Sequence, residues 1–333
     1  MKWCLICVLA LVSYVSYPIS ICSSIFYQQI FAYKILYFAF IKPTFTIAAY
    51  NNSFAEPSHP YHNNSFYDFY HKYNSAIVKG LNITKDIGLL TSKINEKMRP
   101  ADTEFTKLKD NIKYLIPNSN ISILADEDVN DGYIFNYNHN NHAANKYDIL
   151  LIGHQEYVTQ EEYNNLKQFV YNGGTLIILS GNVFYAEVKY DKINHSVRLV
   201  NGHGFSFDGH TASRGFIERW ENETRNWVGS NSYRFGTSTN NIFKNNPFNY
   251  TTFEDSYITN PHDKIIMNYG LMNKGYVIAT YVLDYGNGKV ISTGISGVRL
   301  LHNTAFLVFF EKMITNNAIP NYLKNNTHIS NYQ

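Results

Sequence analysis

The sequence predicts an α/β fold, a mainly parallel sheet with helices on both faces, and three observations carry that prediction. YDILLIG (147–153) and TLIILS (175–180) are short, continuously apolar runs, the pattern of strands buried on both faces. Between them, Tyr163, Leu166, Phe169 and Val170 share one helical face, so the three segments form a β-α-β crossover whose strands run parallel. The chain is also long enough for a sizeable core: 333 residues, 45% hydrophobic and only 16% charged, a composition unlike that of disordered chains.

Residues 1–50 differ from everything after them. They hold three charged residues, Lys2, Lys34 and Lys42. Lys2 followed by the apolar run Trp3–Val15 has the form of a secretory signal, and a second apolar run spans Ile25–Ile41. Together the runs are also long enough for an uncleaved membrane anchor. Both readings place the protein outside the cytoplasm, secreted or tethered to the membrane by its N-terminus; a buried helix of the domain is the third reading. All three cysteines, Cys4, Cys7 and Cys22, lie in this segment. A cysteine nucleophile, a Cys-ligated zinc and a thiolate redox centre are therefore excluded from the remainder. Residues 51–333 carry 25 basic and 26 acidic residues, and the whole chain is only +2, so a dedicated nucleic-acid binder is excluded too. Asn-x-Ser/Thr sequons begin at Asn51, Asn63, Asn82, Asn120, Asn194, Asn222, Asn249 and Asn325, as a surface glycoprotein would have and as an Asn-rich chain also produces by chance.

The remaining elements follow in order. Residues 51–64 are polar with two prolines and read as a linker, 65–320 as the domain, and 321–333 as a polar tail. FYDFYHKYNSAIV (66–78) has helical periodicity, and DIGLL (86–90) reads as a strand. Phe105, Leu108, Ile112 and Leu115 make one face of a helix over 102–116 that Pro117 stops, and 120–125 is a strand. DEDVNDG (126–132) reads as a solvated loop, because Gly132 comes one place late for a calcium loop and Tyr137 stands where its Glu belongs. Residues 136–145 are a polar excursion holding His139 and His142. In the crossover, Thr159 and Glu162 form a TxxE cap, and Asn172-Gly173-Gly174 ends the helix. Residues 200–262 have no clean period and read as an aromatic-rich insertion over one end of the sheet. Strands over 264–268 and 276–285, a hairpin turn at Gly286-Asn287-Gly288 into KVISTG, and a helix over 303–314 close the fold.

Sites in open α/β sheets form beyond the carboxyl ends of the strands. One end here reads GHQEY, with His154, Glu156 and Tyr157; the next reads SGNVFYAEV, with Asn182, Tyr185 and Glu187. Neither Ser180 nor Ser296 has the glycine pair of a nucleophile elbow, which leaves a serine hydrolase unsupported. Two tyrosinates and a carboxylate suit an oxidised iron; Tyr157 and Tyr185 are otherwise two of 28 tyrosines filling a core. Three further groups have both a chemical and a structural reading. His203, Asp208 and His210 (GHGFSFDGH) are metal ligands or parts of a glycine-rich loop; Glu254 and Asp255 are an acid–base pair or a solvated loop; Trp220 and Trp227, seven apart, are core or an aromatic binding platform.

Residues 153–191 resemble the C-terminal domain of the N,N-dimethylformamidase large (beta) subunit family, with its G-H-x-E-Y segment, helix ending in Gly-Gly, strand and Gly-Asn-x-x-Tyr. The wider resemblance is to flavodoxin-like, class I glutamine amidotransferase-like folds, and to uncharacterised secreted archaeal proteins. The resemblance implies a mononuclear iron bound by two tyrosines and one glutamate, hydrolysing small amides beside a companion subunit. It places Tyr157 and Tyr185 as ligands; one of Glu218, Glu221 and Glu223 is a candidate for the third from its place in the chain, and His154, Glu156 and Asn182, at the strand ends, are the catalytic candidates. The chain departs from the family at Val158 and Ala186, where tryptophan is usual. The expected function is thus an extracytoplasmic metal-dependent amide hydrolase. The alternative is a non-catalytic surface glycoprotein module on the same fold, and a carbohydrate-binding protein is the third reading.

Overall fold

The computed structural model describes residues 35–50, 91–94, 102–137, 143–202, 205–207, 212–214, 218–229, 235–237, 252–254, 264–272, 275–293 and 304–319. In chain order they begin with β1 (Leu36–Lys42), α1 (Thr44–Tyr50), β2 (Thr91–Lys93), α2 (Asp102–Leu115), β3 (Ser119–Ala125) and α3 (Asp126–Asn130). A small hairpin of β4 (Phe135–Tyr137) and β5 (Ala143–Asn145) follows, then β6 (Ile149–Ile152), β7 (Tyr157–Val158), α4 (Gln160–Tyr171) and β8 (Thr175–Ile178). Next come β9 (Ala186–Asp191), β10 (Ser196–Gly202), β11 (Phe205–Phe207), β12 (Ala212–Arg214), α5 (Glu221–Trp227), β13 (Phe235–Thr237) and β14 (Thr252–Glu254). The chain closes with β15 (Lys264–Met272), β16 (Gly275–Tyr285), β17 (Gly288–Thr293) and α6 (Thr304–Met313), which runs into a π-helical turn over Ile314–Ala318.

The central sheet has seven strands in the order β15-β16-β17-β8-β6-β1-β3. From β17 to β3 all neighbours are parallel; β15 and β16 extend the sheet as antiparallel hairpins. Ala39, Ile41, Leu150, Ile152, Leu176 and Ile178 join one core with Tyr163, Leu166, Phe169 and Val170 of α4. Residues of the opposite phase, Phe38, Phe40, Ile149, Leu151, Ile177 and Ile291, are buried as deeply. Burial of both faces is why these strands read as unbroken apolar runs.

The crossover is built as its sequence indicates. Thr159 Oγ1 accepts from the Glu162 amide at 3.0 Å to start α4. Its far end packs so closely on β17 that a Cβ at Gly288 would lie 2.0 Å from the Val170 carbonyl oxygen, so only glycine fits there.

Two segments differ from the sequence reading. Residues 36–50, assigned to an apolar leader, form β1 and α1, and the compact unit starts at Leu36. A strand buried on both faces has the same unbroken apolarity as a leader, and that is the physical source of the difference. DEDVNDG is not a solvated loop: α3 begins inside it, and Asp126 is fully buried. The signal-like run 3–15, the linker 51–64, the segments 66–78 and 86–90, and the tail 321–333 lie outside the described residues.

A second sheet has the order β12-β11-β10-β9-β7, with β2 on the flank of β10. Only its β7–β9 pair is parallel. Beside it, Trp220 stacks on Tyr163 at 4.4 Å and Trp227 meets the same ring edge-on at 5.5 Å, so both tryptophans are core, as their spacing suggested. Trp227 Nε1 donates to the Tyr163 hydroxyl at 2.8 Å, and Thr224 Oγ1 lies 3.1 Å from it. Tyr163→Phe strands a buried indole N–H and should lower stability by about 1–3 kcal/mol, read from the urea midpoint.

Candidate functional site

The parallel strands occur in the spatial order β3-β1-β6-β8-β17, so the chain steps from β1 to one side and then crosses to the other. The topological switch lies between β1 and β6, and the crevice outside their carboxyl ends is where such sheets place ligands. The chain leaving β6 supplies His154, Gln155 and Glu156 there before it enters β7. The chain leaving β1 supplies α1, whose last residue is Tyr50.

Glu156 is 2% exposed, yet one of its oxygens meets two polar side chains. Tyr50 Oη donates to Oε2 at 2.6 Å, and His154 Nε2 lies 2.9 Å from the same atom. The Tyr50 ring stands edge-on to both His154 and Tyr157, with centroids 5.9 Å away in each case. The His154 side chain is 39% exposed, so the cluster opens to solvent through the imidazole. Thr46 fixes β7 from α1: its Oγ1 accepts from the Tyr157 amide at 3.0 Å. Gln155 turns the other way and donates to the Ile41 carbonyl at the end of β1 at 2.9 Å.

The second tyrosine-bearing segment is stitched to the first through the backbone. The Glu156 carbonyl accepts from the amides of Tyr185 and Ala186, at 2.9 and 3.0 Å, and Gln155 accepts from Phe184. Tyr157 pairs with Ala186 across the β7–β9 ladder, so the two tyrosines lie on adjacent, hydrogen-bonded segments. Phe184 has φ of 60°, a left-handed conformation that costs a bulky residue about 1–2 kcal/mol. Its ring is held between Trp227 at 5.6 Å and Tyr163 at 5.4 Å. Packing therefore imposes the turn that delivers Tyr185, whose hydroxyl reaches the Gly181 carbonyl at 3.3 Å. Asn182 sits in the same turn, with its amide on Ser180 Oγ at 3.2 Å and its buried Oδ1 without a hydrogen-bond partner.

The three glutamates separate clearly. Glu223 is ion-paired with Lys167 at 2.5 Å, and Glu221 is paired with Arg225 one helical turn on. Glu218 precedes Arg219, whose amide donates to the Tyr185 carbonyl at 3.0 Å, so the backbone brings Glu218 beside the second tyrosine. Arg219 in turn pairs with Glu187 at 2.5 Å, which makes Glu187 a structural partner. Among the described residues no three His, Cys, Asp or Glu side chains form a metal-binding group. His139, His142, His203, Asp208, His210 and Asp255 lie outside the described residues, and Glu254 is placed only by its register opposite Phe235.

Sequence reasoning missed Tyr50, because it fell within the apparent leader. It also missed a buried acidic joint beneath the site. Asp126 Oδ2 accepts from the Phe45 amide at 2.8 Å, and the Asp126 carboxyl faces that of Glu162, both fully buried. Burial pushes both groups well above the usual carboxylate range; the Glu127 charge raises Asp126 further and the Asp126 charge raises Glu162 further, while the hydrogen bond with Glu162 draws Asp126 partly back down.

These features define a class: an α/β domain with a polar, tyrosine-rich centre at the switch point of a mostly parallel sheet. Residues 36–266 match the family described as N,N-dimethylformamidase beta subunit-like, C-terminal, and the chain belongs to that family. No curated protein sequence matches it. Among solved structures it is similar to a β-galactosidase from Bacillus circulans sp. alkalophilus, with 14% identity over 67% of this chain and 29% of that one, TM-score 0.35. An exo-β-1,4-mannosidase from Opitutaceae bacterium strain TAV5 shows 14% identity over 66% of this chain and 31% of that one, TM-score 0.30. A cytoplasmic protein from Salmonella typhimurium LT2 shows 10% identity over 68% of this chain and 89% of that one, TM-score 0.35. The chain thus spans less than a third of each of the two glycosidases.

The acidic joint has a pH signature. Both folded-state pKa values lie above the unfolded ones, so the unfolded chain releases protons that the folded chain keeps. The joint's contribution to stability is therefore greatest below about pH 4, the ordinary carboxylate range, and is lost as pH rises from there through the folded values. Glu162→Gln should flatten this decline between about pH 4 and 7, as measured by urea unfolding across that range.

Proposed function

We propose that this protein is a metal-dependent hydrolase of C–N bonds in small linear amides, of the N,N-dimethylformamidase kind, acting outside the cytoplasm beside a companion subunit. Family membership supports the reaction class, and the family's description as a subunit supports the companion. The observation that carries the reading is the convergence of Glu156, His154, Tyr50 and Tyr157 at the switch point, with Tyr185 on the adjoining segment. The strand order also favours a flavodoxin-like, glutamine amidotransferase-like ancestry. The extracytoplasmic assignment rests on the apolar run that precedes the domain; no helix among the described residues is long and apolar enough to cross a membrane.

The donor set fits a hard, oxidised metal ion. Tyr157, Tyr185 and Glu218 are the residues that would hold an iron, Glu218 because its neighbour Arg219 is hydrogen-bonded through its amide to the Tyr185 carbonyl. Such an ion polarises an amide carbonyl and acidifies water. His154, backed by Glu156, is the group that takes a proton and returns it to the departing amine. Asn182 Oδ1 is an acceptor for a substrate N–H or for water. One observation favours a second reading, a surface module without chemistry: Val158 and Ala186, fully buried, occupy the two positions where the family has tryptophan.

Iron content and the visible spectrum of the full chain, produced with iron available, separate the two. Stoichiometric iron with a tyrosinate charge-transfer band is expected, lost in Tyr157→Phe and Tyr185→Phe. Glu218→Gln should reduce iron occupancy at least tenfold at limiting iron, consistent with loss of a charged ligand of about 1.4 kcal/mol or more. Glu221→Gln and Glu223→Gln should leave it unchanged. A colourless, iron-free and folded protein sinks the hydrolase reading in favour of the surface module.

A further inference from the structure

The hairpin of β9 and β10 turns through Lys192–His195, beyond its last ladder pair, Asp191 with Ser196. Asp191 Oδ1 accepts from the amides of Ile193 and Asn194, each at 3.0 Å, and Oδ2 accepts from Asn194 Nδ2 at 2.7 Å. His195 completes the turn with φ of 46°, a left-handed conformation that histidine adopts more readily than most residues. The tip stands in solvent: Ile193 is 90% exposed, and Asn194 and His195 are exposed beside it. Asn194-His195-Ser196 is an acceptor sequence for an N-linked glycan, with no proline at its centre. Among the described residues two other such sequences begin at Asn120, inside β3, and at Asn222, inside α5. Of the three, Asn194 is the one in a turn, the surface-loop position that such an acceptor calls for. The flank of the same hairpin holds a groove of about 580 Å³, within the range of about 300–1,000 Å³ of small-molecule sites. Lys189 and Arg198, opposite each other in the ladder, line it with Tyr190, Ile193 and Ser196. Tyr190, which packs on Phe45 at 5.2 Å, and Ile193 offer apolar surface to the faces of sugar rings, and the two cations are donors for sugar hydroxyls.

We propose that Asn194 carries an N-linked glycan whose first sugars lie in the groove along β9 and β10. The assignment rests on the extracytoplasmic part of the proposed function, because N-linked transfer acts on exported chains. It depends on neither iron nor amide turnover. In the transfer step Asn194 Nδ2 displaces a lipid-linked phosphate from the anomeric carbon of the donor sugar. The C–N bond forms, the C–O bond to phosphate breaks, the lipid phosphate leaves, and one amide proton passes to a base of the transferase. One N–H remains on Nδ2, enough to keep a hydrogen bond to Asp191. Ser196, whose hydroxyl completes the acceptor sequence, is only 4% exposed once the hairpin has closed. Transfer therefore precedes the pairing of β9 with β10, and the fold closes around a chain already modified at its tip. The glycan then covers Ile193 and the Lys189–Arg198 pair, whose like charges are opposite in register and repel.

The test is peptide mass spectrometry of the full chain purified from the cells that make it, combined with fractionation of those cells. The peptide containing Asn194 should carry a carbohydrate mass on that residue. The added mass should be lost in Asn194→Gln and Ser196→Ala and kept in Ser196→Thr, which retains the hydroxyl of the acceptor sequence. If Ser196→Ala fails to fold, Asn194→Gln, at an exposed position, reads the same loss. Acetylation of Lys189 by a water-soluble reagent should be slower in the wild type than in folded Asn194→Gln. An exported chain whose Asn194 is bare overturns the assignment and leaves the extracytoplasmic reading standing. A chain recovered from the cytoplasm overturns both. A modified Asn194 with Lys189 acetylated equally fast in the two proteins overturns the placement of the sugars in the groove. None of these outcomes bears on iron content, so the hydrolase reading stands or falls by its own experiment.

Discussion

The Glu156 carbonyl accepts the amides of both Tyr185 and Ala186, and much of the molecule depends on that shared acceptor. The chain leaves the central sheet at Ile152 and enters the second sheet at Tyr157. The same residue that stitches the two sheets through its backbone presents its carboxyl group to Tyr50 and His154. Architecture and candidate chemistry are therefore coupled through one peptide unit. A shift of the second sheet relative to the first would move the base and the tyrosine-bearing turn together.

Support for this unit comes from two directions. Below it, α1, α3 and α4 meet around Asp126 and Glu162, where the Phe45 amide and the Thr159 cap satisfy part of the polar demand. Beside it, the aromatic group of Tyr163, Phe184, Trp220 and Trp227 fixes the turn that carries Tyr185. The acidic joint costs stability at neutral pH and the strained turn costs more, while the aromatic packing offsets both. Such a distribution, with strain next to a polar centre and rigid apolar support behind it, is common where a protein must hold reactive groups in place.

Much of this was legible in the sequence, and the exceptions share a cause. The crossover from Tyr147 to Ser180 could be read because apolar runs, a cap and a Gly-Gly stop all agreed locally. His154, Glu156, Tyr157, Asn182 and Tyr185 could be named because they follow strand ends. Tyr50 could not, since β1 is buried on both faces and so has the unbroken apolarity of a leader. Nothing local separates the two; only its pairing with Ile149–Ile152 and Ser119–Ala125 does. The buried state of Asp126 was hidden for a similar reason. A run of acidic residues is normally solvated, and what buries this one is the arrival of α1 and α4 from distant positions. The second sheet escaped because its strands are short and its register includes a bulge between Leu199 and Asn201.

Phe184 faces two demands that no single residue type satisfies well. Its backbone favours glycine or asparagine, and its side chain must fill the space between Tyr163 and Trp227. A glycine would relax the chain and leave a void costing about 3–5 kcal/mol; another large apolar residue would keep both the packing and the strain. Single-step drift to a small residue is therefore closed, whereas exchange for another large apolar residue carries the strain along unchanged. Relatives with a small residue at position 184 should have changed one of the flanking aromatic residues as well, so that the history of this turn is written in three positions at once.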